Sequence, residues 1–362
     1  MSSFIGMPGL PVDLLHAILE GIPFARFAAK SVRDALPRPW NRVCISDIWS
    51  PAQCEWAVAA CGLVVDDACL GIWAYHGDLD LLRWAVLRPW CPALTAHVCE
   101  EAALGGELGV LQWARANGCE WDSEVCRAAA GGGHLAVLRW ARENGCEWDF
   151  EATTEAAGGG HLAVLEWLIE NGCEWDGETT DAAAEGGHLA VLWYLRAKGC
   201  LWDARVCERI ADGGHLETLR WARANGCPWS AGTCSAAAGG GHLETLRWAH
   251  ANGCEWDVHT CRLAAVADRL DILQWARARG CPWDQYTCAT AAWGGRLETL
   301  QWARSRGCPW DADTCLNAAS GGHLEVLQWA RATGCDWDAA GICEAAREHP
   351  RVVEWARANG CP

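Results

Sequence analysis

Nine glycine-cysteine pairs, each followed two residues after the cysteine by tryptophan, recur every 27 residues from Cys119 to Cys335. A further Gly-Cys ends the series one residue early at Cys361. A period this strict means that one small structural unit is copied along the chain. Each copy buries its apolar face against its neighbours rather than in a common centre. The usual inference from 362 residues, two or three globular domains, is thereby overridden.

The repeat accounts for the presence of 26 Trp beside 3 Tyr and 4 Phe. A net charge of −17 makes the surface repel a phosphate backbone, so nucleic acid is not expected as a partner. No apolar run approaches the roughly 20 residues that cross a bilayer, and no charged, apolar leader opens the chain. The 23 cysteines are odd in number. Successive Gly-Cys cysteines should lie one helix-pair spacing apart, about 8–10 Å, beyond the roughly 7 Å Cα separation that a disulfide spans. These features predict a reduced, cytoplasmic, monomeric protein without a membrane partner.

One unit runs from Trp310 to Cys335, WDADTCLNAASGGHLEVLQWARATGC. Asp311 stands at a helix N-cap, where its carboxylate can accept from free backbone amides. Its equivalents are Asp122, Asp149, Asp176, Asp203, Asp257, Asp284 and Asp338, with Ser230, another capping residue, in the remaining repeat. Trp310 and Cys315 fall at the two positions of a hydrophobic staple. A first helix closes on Ala318 and Ala319, Ser320-Gly321-Gly322 turns the chain, and a second helix starts at His323. Leu324, Leu327, Trp329 and Ala330 supply its apolar face, Arg331 points outward near its C-terminus, and Gly334 ends it. The unit is helix–turn–helix with no strand. Second-helix anchors count eleven units, among them Trp113, Trp140, Trp221, Trp248, Trp275, Trp302 and Trp329. A buried Trp removes roughly 150–250 Å² from water, about 4–6 kcal/mol as an upper bound, so these rings are expected to dominate stability.

From Ala318 to Asp338 the unit resembles the ankyrin repeat, whose consensus A-A-x-x-G-H-L-E-V-V-K-L-L-L-x-x-G-A-D-V-N aligns with it throughout. The family repeat has 33 residues; here six are missing between Asp311 and Asp313, where ankyrins form their β-hairpin finger. The T-P-L-H signature is absent, and Cys315 replaces its core leucine. The resemblance covers residues 66–362 and implies an all-α solenoid of stacked, ankyrin-like helix pairs with clipped fingers, in which the first helices line a concave binding face.

Before the repeats, Leu14, Leu15, Ile18, Leu19 and Ile22 are spaced as on an amphipathic helix that Pro11 opens. With Leu10, Asp13, Val32 and Trp40 they resemble the F-box, although Arg33 stands where that family usually has cysteine. The resemblance implies that residues 1–50 form a small helical module. It would dock the adaptor subunit of a cullin-type ubiquitin ligase through Leu10, Pro11, Leu14, Leu15, Ile18 and Leu19. The alternative is a helical cap over the end of the stack. Residues 51–65 read as a connecting helix. F-box and ankyrin-like chains of this type are common in large DNA viruses of amoebae, which implies a host-directed role in host cytoplasm.

No P-loop, strand-linked GxGxxG, HExxH or GxSxG elbow occurs, so neither an enzyme nor a cofactor is expected. The periodic His134, His161, His188, His215, His242 and His323 give way to Glu107, Arg269 and Arg296, which a metal site would not accept. The series Cys99, Cys126, Cys207, Cys234, Cys261, Cys288 and Cys315 gives way to Thr153 and Thr180, as small core residues do and thiolate ligands do not.

Variation between repeats falls after the cap and one turn into the first helix. Those positions hold Glu124 and Arg127; Phe150 and Glu151; Glu178 and Asp181; Arg205 and Glu208; Val258, His259 and Arg262; Tyr286; and Leu316. Either they bind a protein target, with Phe150, Val258, Tyr286 and Leu316 as exposed anchors, or they drift at solvent. The sequence therefore predicts a protein-binding scaffold, either a receptor that links its target to a ubiquitin ligase or a plain binding protein.

Overall fold

The computed structural model describes residues 50–61 and 63–360; the F-box-like segment, with Leu10, Pro11, Leu14, Leu15, Ile18 and Leu19, lies outside them. The protein is an all-α solenoid, with 23 helices and no strand among the described residues. The connecting helix is Pro51–Cys61. Eleven helix pairs follow, from Asp67–Tyr75 with Leu79–Ala85 to Ala339–Ala345 with Pro350–Ala358. No described helix is long and apolar enough to cross a membrane.

The pairs belong to two compact units. The first holds the described residues up to Ala156 together with Ala163–Glu174; the second holds Ala157–Leu162 and the residues from Trp175 onward. Within each, first helices of successive repeats lie directly on one another, as Ala96–Leu104 does on Ser123–Gly131 and Ala204–Asp212 on Ala231–Gly240. The residues at this contact, such as Ala129 and Ala130, are small and fully buried, which allows the close approach.

In the repeat cut from Asp311, the helices are Ala312–Ser320 and Leu324–Ala332, nine residues each. Asp311 caps the first, its carboxylate accepting from the Asp313 amide at 3.1 Å. The same bond forms at Asp122, Asp176, Asp203, Asp257 and Ser230. Asp338 occupies the cap position without a side-chain bond, so that assignment holds by place only.

Histidine lies just before the second helix rather than within it. The His134 ring donates through Nε2 to Leu104 O at 3.0 Å, His215 to Glu185 O at 2.9 Å and His349 to Ser320 O at 2.9 Å. Each satisfies a carbonyl left over at the end of the preceding repeat's first helix. Arg296 makes the same link through Nε to Val266 O at 3.3 Å, which explains why arginine substitutes for histidine.

Tryptophan needs a correction. Trp113, Trp140, Trp221, Trp248, Trp275, Trp302 and Trp329 are half-buried, while Val137, Leu138, Ala141, Leu219 and Leu246 beside them on the second helices are fully buried. The aliphatic residues form the core, and the rings form a seam on its edge. Trp310 meets Trp329 edge-on, with centroids 5.7 Å apart, and Trp229 meets Trp248 likewise at 5.9 Å. Arg331, read as outward-pointing, instead folds onto this seam 5.1 Å over Trp337, and its equivalents do the same. Arg304 lies 4.1 Å above the ring of Trp310 in the next repeat and donates to the Cys308 carbonyl. Arg223 covers Trp229 at 4.0 Å, and where His250 replaces arginine it stacks on Trp256 at 3.6 Å. The seam thus joins neighbouring repeats by cation–π and ring contacts.

Candidate functional site

With caps, turns and seam engaged in the framework, the groups free to vary lie on the outer face of the first helices. The cap bond sets this placement. Because Asp122 accepts from the Glu124 amide at 3.0 Å, the first turn begins at Ser123 and side chains one and four residues on share a face. Phe150 and Tyr286 are 40% and 44% exposed, enough to offer ring surface to a partner. Glu178, Arg205 and His259 are exposed; Glu124, Arg127, Glu151, Asp181, Glu208 and Arg262 are half-buried. Val258 and Leu316 are half-buried rather than exposed. Leu316 leans over Gly341 of the following repeat, where the absence of a side chain leaves it room.

The charged members pair with one another between repeats. Arg127 bonds both Glu124 of its own helix and Glu151 of the next. Arg205 reaches Asp203 at 3.0 Å and Asp181 at 3.7 Å. Arg262 donates to Asp284 through Nε at 3.0 Å and lies 4.7 Å over the Tyr286 ring. Part of the variation read from sequence is therefore compensated internally, since a change of charge in one repeat is answered in its neighbour.

The Arg262 bond also holds the Asp284 carboxyl below its ordinary range. A carboxylate with a lowered folded-state pKa stabilises the protein above its unfolded value, about 3.9, and that contribution is lost as pH falls through the folded value. Asparagine caps a helix as well as aspartate does. Asp284→Asn should therefore leave stability near pH 7 lower and make the decline between about pH 5 and pH 2 shallower. Thermal melts across that range test this, and parallel wild-type and variant curves would refute it.

The exposed apolar residues missed in the sequence include three on first helices. Leu104, Leu263 and Trp293 are 39%, 39% and 54% exposed. Tyr286 and Trp293 lie seven residues, two turns, apart on helix Gln285–Trp293, so they share a face. Leu263, on Val258–Val266 of the preceding repeat, borders a concavity of about 460 Å³ that also includes Glu208, Ser235 and His259. In the first unit a concavity of about 220 Å³ is acidic, with Glu100, Glu101, Glu124 and Glu155 around Leu104 and Arg127. Comparing repeats at every first-helix position would have found these residues, because Trp293 aligns with Gly131, Glu185 and Ser320. A separate exposed pair, Leu189 and Trp193, lies on a second helix at 38% and 59%. No group of three or more His, Cys, Asp or Glu that could hold a metal ion occurs among the described residues.

The two cysteine series, treated as separate in sequence, meet inside the repeats that carry both. The Cys99 thiol donates to Cys119 Sγ at 3.1 Å, and Cys119 donates to Thr95 O at 2.8 Å. Where the first cysteine is replaced, Thr180 Oγ1 lies 2.9 Å from Cys200 Sγ.

No protein-family model matches this chain, and no curated protein matches it in sequence. Among solved structures it is similar to the human ASB11 ankyrin repeat domain, with TM-score 0.35 and 19% identity over 43% of this chain and 84% of that one. It is also similar to the pentatricopeptide repeat protein PPR10 in complex with an 18-nt psaJ RNA element, with TM-score 0.36 and 16% identity over 97% of this chain and 62% of that one.

Proposed function

We propose that this protein is a non-enzymatic scaffold that binds a protein partner on the face of its first helices. The observation that carries this reading is the division of labour within the repeat. The histidines before the second helices, the paired cysteines, the second-helix arginines and most tryptophan side chains serve the framework, while Tyr286, Trp293 and Leu263 stand exposed on one face at positions where most other repeats carry small or charged residues. Exposed aromatic residues beside paired charges match the anchors and rim of protein interfaces. Glu178, Asp181, Arg205 and Glu208 would supply the polar rim.

In the fuller form of this reading, the N-terminal segment docks the adaptor of a cullin-type ubiquitin ligase and the protein delivers its bound target, in the cytoplasm of a host cell. Its support is the F-box resemblance of residues 10–40. Co-purification of the adaptor with the full chain, and its loss on removing residues 1–50, would bear this out; retention without those residues would leave a plain binding scaffold. The binding face is tested with a partner captured by the full chain. Tyr286→Asp with Trp293→Asp should weaken the captured partner at least about tenfold, since an anchor residue contributes 2 kcal/mol or more. The thermal midpoint should fall only modestly, because Tyr286 and Trp293 are already 44% and 54% exposed and neither fills the core. Undiminished binding in this double variant, with loss in Trp193→Asp, would place the interface on the second helices instead.

A further inference from the structure

Seven of the repeats carry cysteine both on the first helix and after the second helix, twenty residues apart: Cys99–Cys119, Cys126–Cys146, Cys207–Cys227, Cys234–Cys254, Cys261–Cys281, Cys288–Cys308 and Cys315–Cys335. All fourteen are buried thiols. In the first pair the sulfurs are 3.1 Å apart, so an approach of about 1 Å would bring them to bonding distance. The thiols of Cys126 and Cys146, of Cys207 and Cys227, and of Cys234 and Cys254 likewise face each other. Packing alone does not demand two sulfurs, because Thr180 with Cys200 fills the same space.

We propose that these facing thiols, Cys99–Cys119 foremost, are intra-repeat disulfide sites that close when the protein meets a hydroperoxide. The linkage would tie the first helix of a repeat to the segment that follows its second helix. The Cys119 thiolate attacks one peroxide oxygen; the O–O bond breaks, and the departing hydroxide leaves as water after taking a proton. Cys99, as thiolate, then attacks the sulfur of the resulting sulfenic acid. The S–S bond forms, the S–O bond breaks, and a second water leaves. Two thiols have lost two electrons and two protons, and one hydrogen peroxide has become two waters. The polarity of the pair suits this order. The bond donated by the Cys99 thiol stabilises a thiolate at Cys119 and lowers its pKa, whereas that same bond and burial raise the pKa of Cys99. Access comes from local opening, since a repeat contacts only its neighbours and can open without global unfolding.

The test treats the full chain under native conditions with hydrogen peroxide, alkylates remaining thiols in denaturant, and maps peptides without reduction. The half-exposed Cys91 and Cys343 report that oxidant was delivered. The expected result is a Cys99–Cys119 linked peptide, two hydrogens lighter than the pair and released by dithiothreitol, with matching links in the other six repeats and a raised thermal midpoint. Cys99→Thr copies the Thr180–Cys200 arrangement, so it should fold while lacking only the first link and leaving Cys119 open to alkylation. Alkylatable Cys99 and Cys119 after Cys343 has been oxidised, sulfinic or sulfonic acid in place of a link, or links to other repeats would each overturn the proposal.

Discussion

Leu246→Ala should destabilise the protein by about 3–4 kcal/mol, and Trp248→Ala, two residues on, by only about 2 kcal/mol. Leu246 is fully buried, so its truncation forfeits its transfer free energy and leaves a cavity among close-packed aliphatic groups. Trp248 is half-buried, with its edge against Trp229 at 5.9 Å and Arg220 5.9 Å over its face. Solvent can occupy part of what that ring vacates, so no closed cavity forms. The ranking reverses the one that residue size and repetition suggest. Urea unfolding followed by circular dichroism measures it, with hydrogen exchange in the flanking helices to detect local opening, because repeat arrays need not unfold in one step. A larger loss for Trp248→Ala would restore the ring ladder as the main source of stability.

Gly187→Ala should cost about 2–3 kcal/mol, against about 1 kcal/mol for Gly253→Ala. Both glycines adopt left-handed backbone, with φ of +70° and +88°, so each variant meets the same backbone penalty. Their surroundings differ. A β-carbon on Gly187 would come within 2.2 Å of His215 Cγ, a severe clash with the ring, whereas one on Gly253 would meet nothing within 4 Å. The His215 ring cannot retreat without giving up its bond to Glu185 O at 2.9 Å, which satisfies a helix-terminal carbonyl. Equal midpoints for the two variants would show that the ring yields freely and that the inter-repeat histidine link contributes little. The non-glycine exception in this turn is instructive. Asp268 holds φ of +60°, and its carboxylate accepts from Thr299 Oγ1 at 2.9 Å, whereas Thr218 donates to the Gly187 carbonyl in the ordinary arrangement.

Much of the repeat was legible because its determinants are local. An aspartate cap bonds an amide two residues on, glycine turns follow from backbone sterics, and nine-residue helices declare their apolar face within two turns. The candidate site was less legible. Phe150 and Tyr286 stand exposed, yet Leu316 does not, because its solvent access depends on Gly341 in the following repeat. Leu263 and Trp293 escaped notice because one apolar residue in an apolar-rich helix carries no label of direction. Nor did the substitution of charges between repeats reveal that Arg127 would hold Glu124 and Glu151 together.

The 27-residue period by itself determined that this chain would be a row of helix pairs, since period, caps and turns act between residues a few positions apart. Only the tertiary structure decided what meets across longer separations. It placed Cys99 against Cys119, Arg220 over the next repeat's Trp248, and the second-helix tryptophans such as Trp140 and Trp248 at the edge of the core rather than inside it. The reason is geometric: residues twenty or more positions apart come together according to how one helix closes on another, and that closure is set by the volumes packed between them.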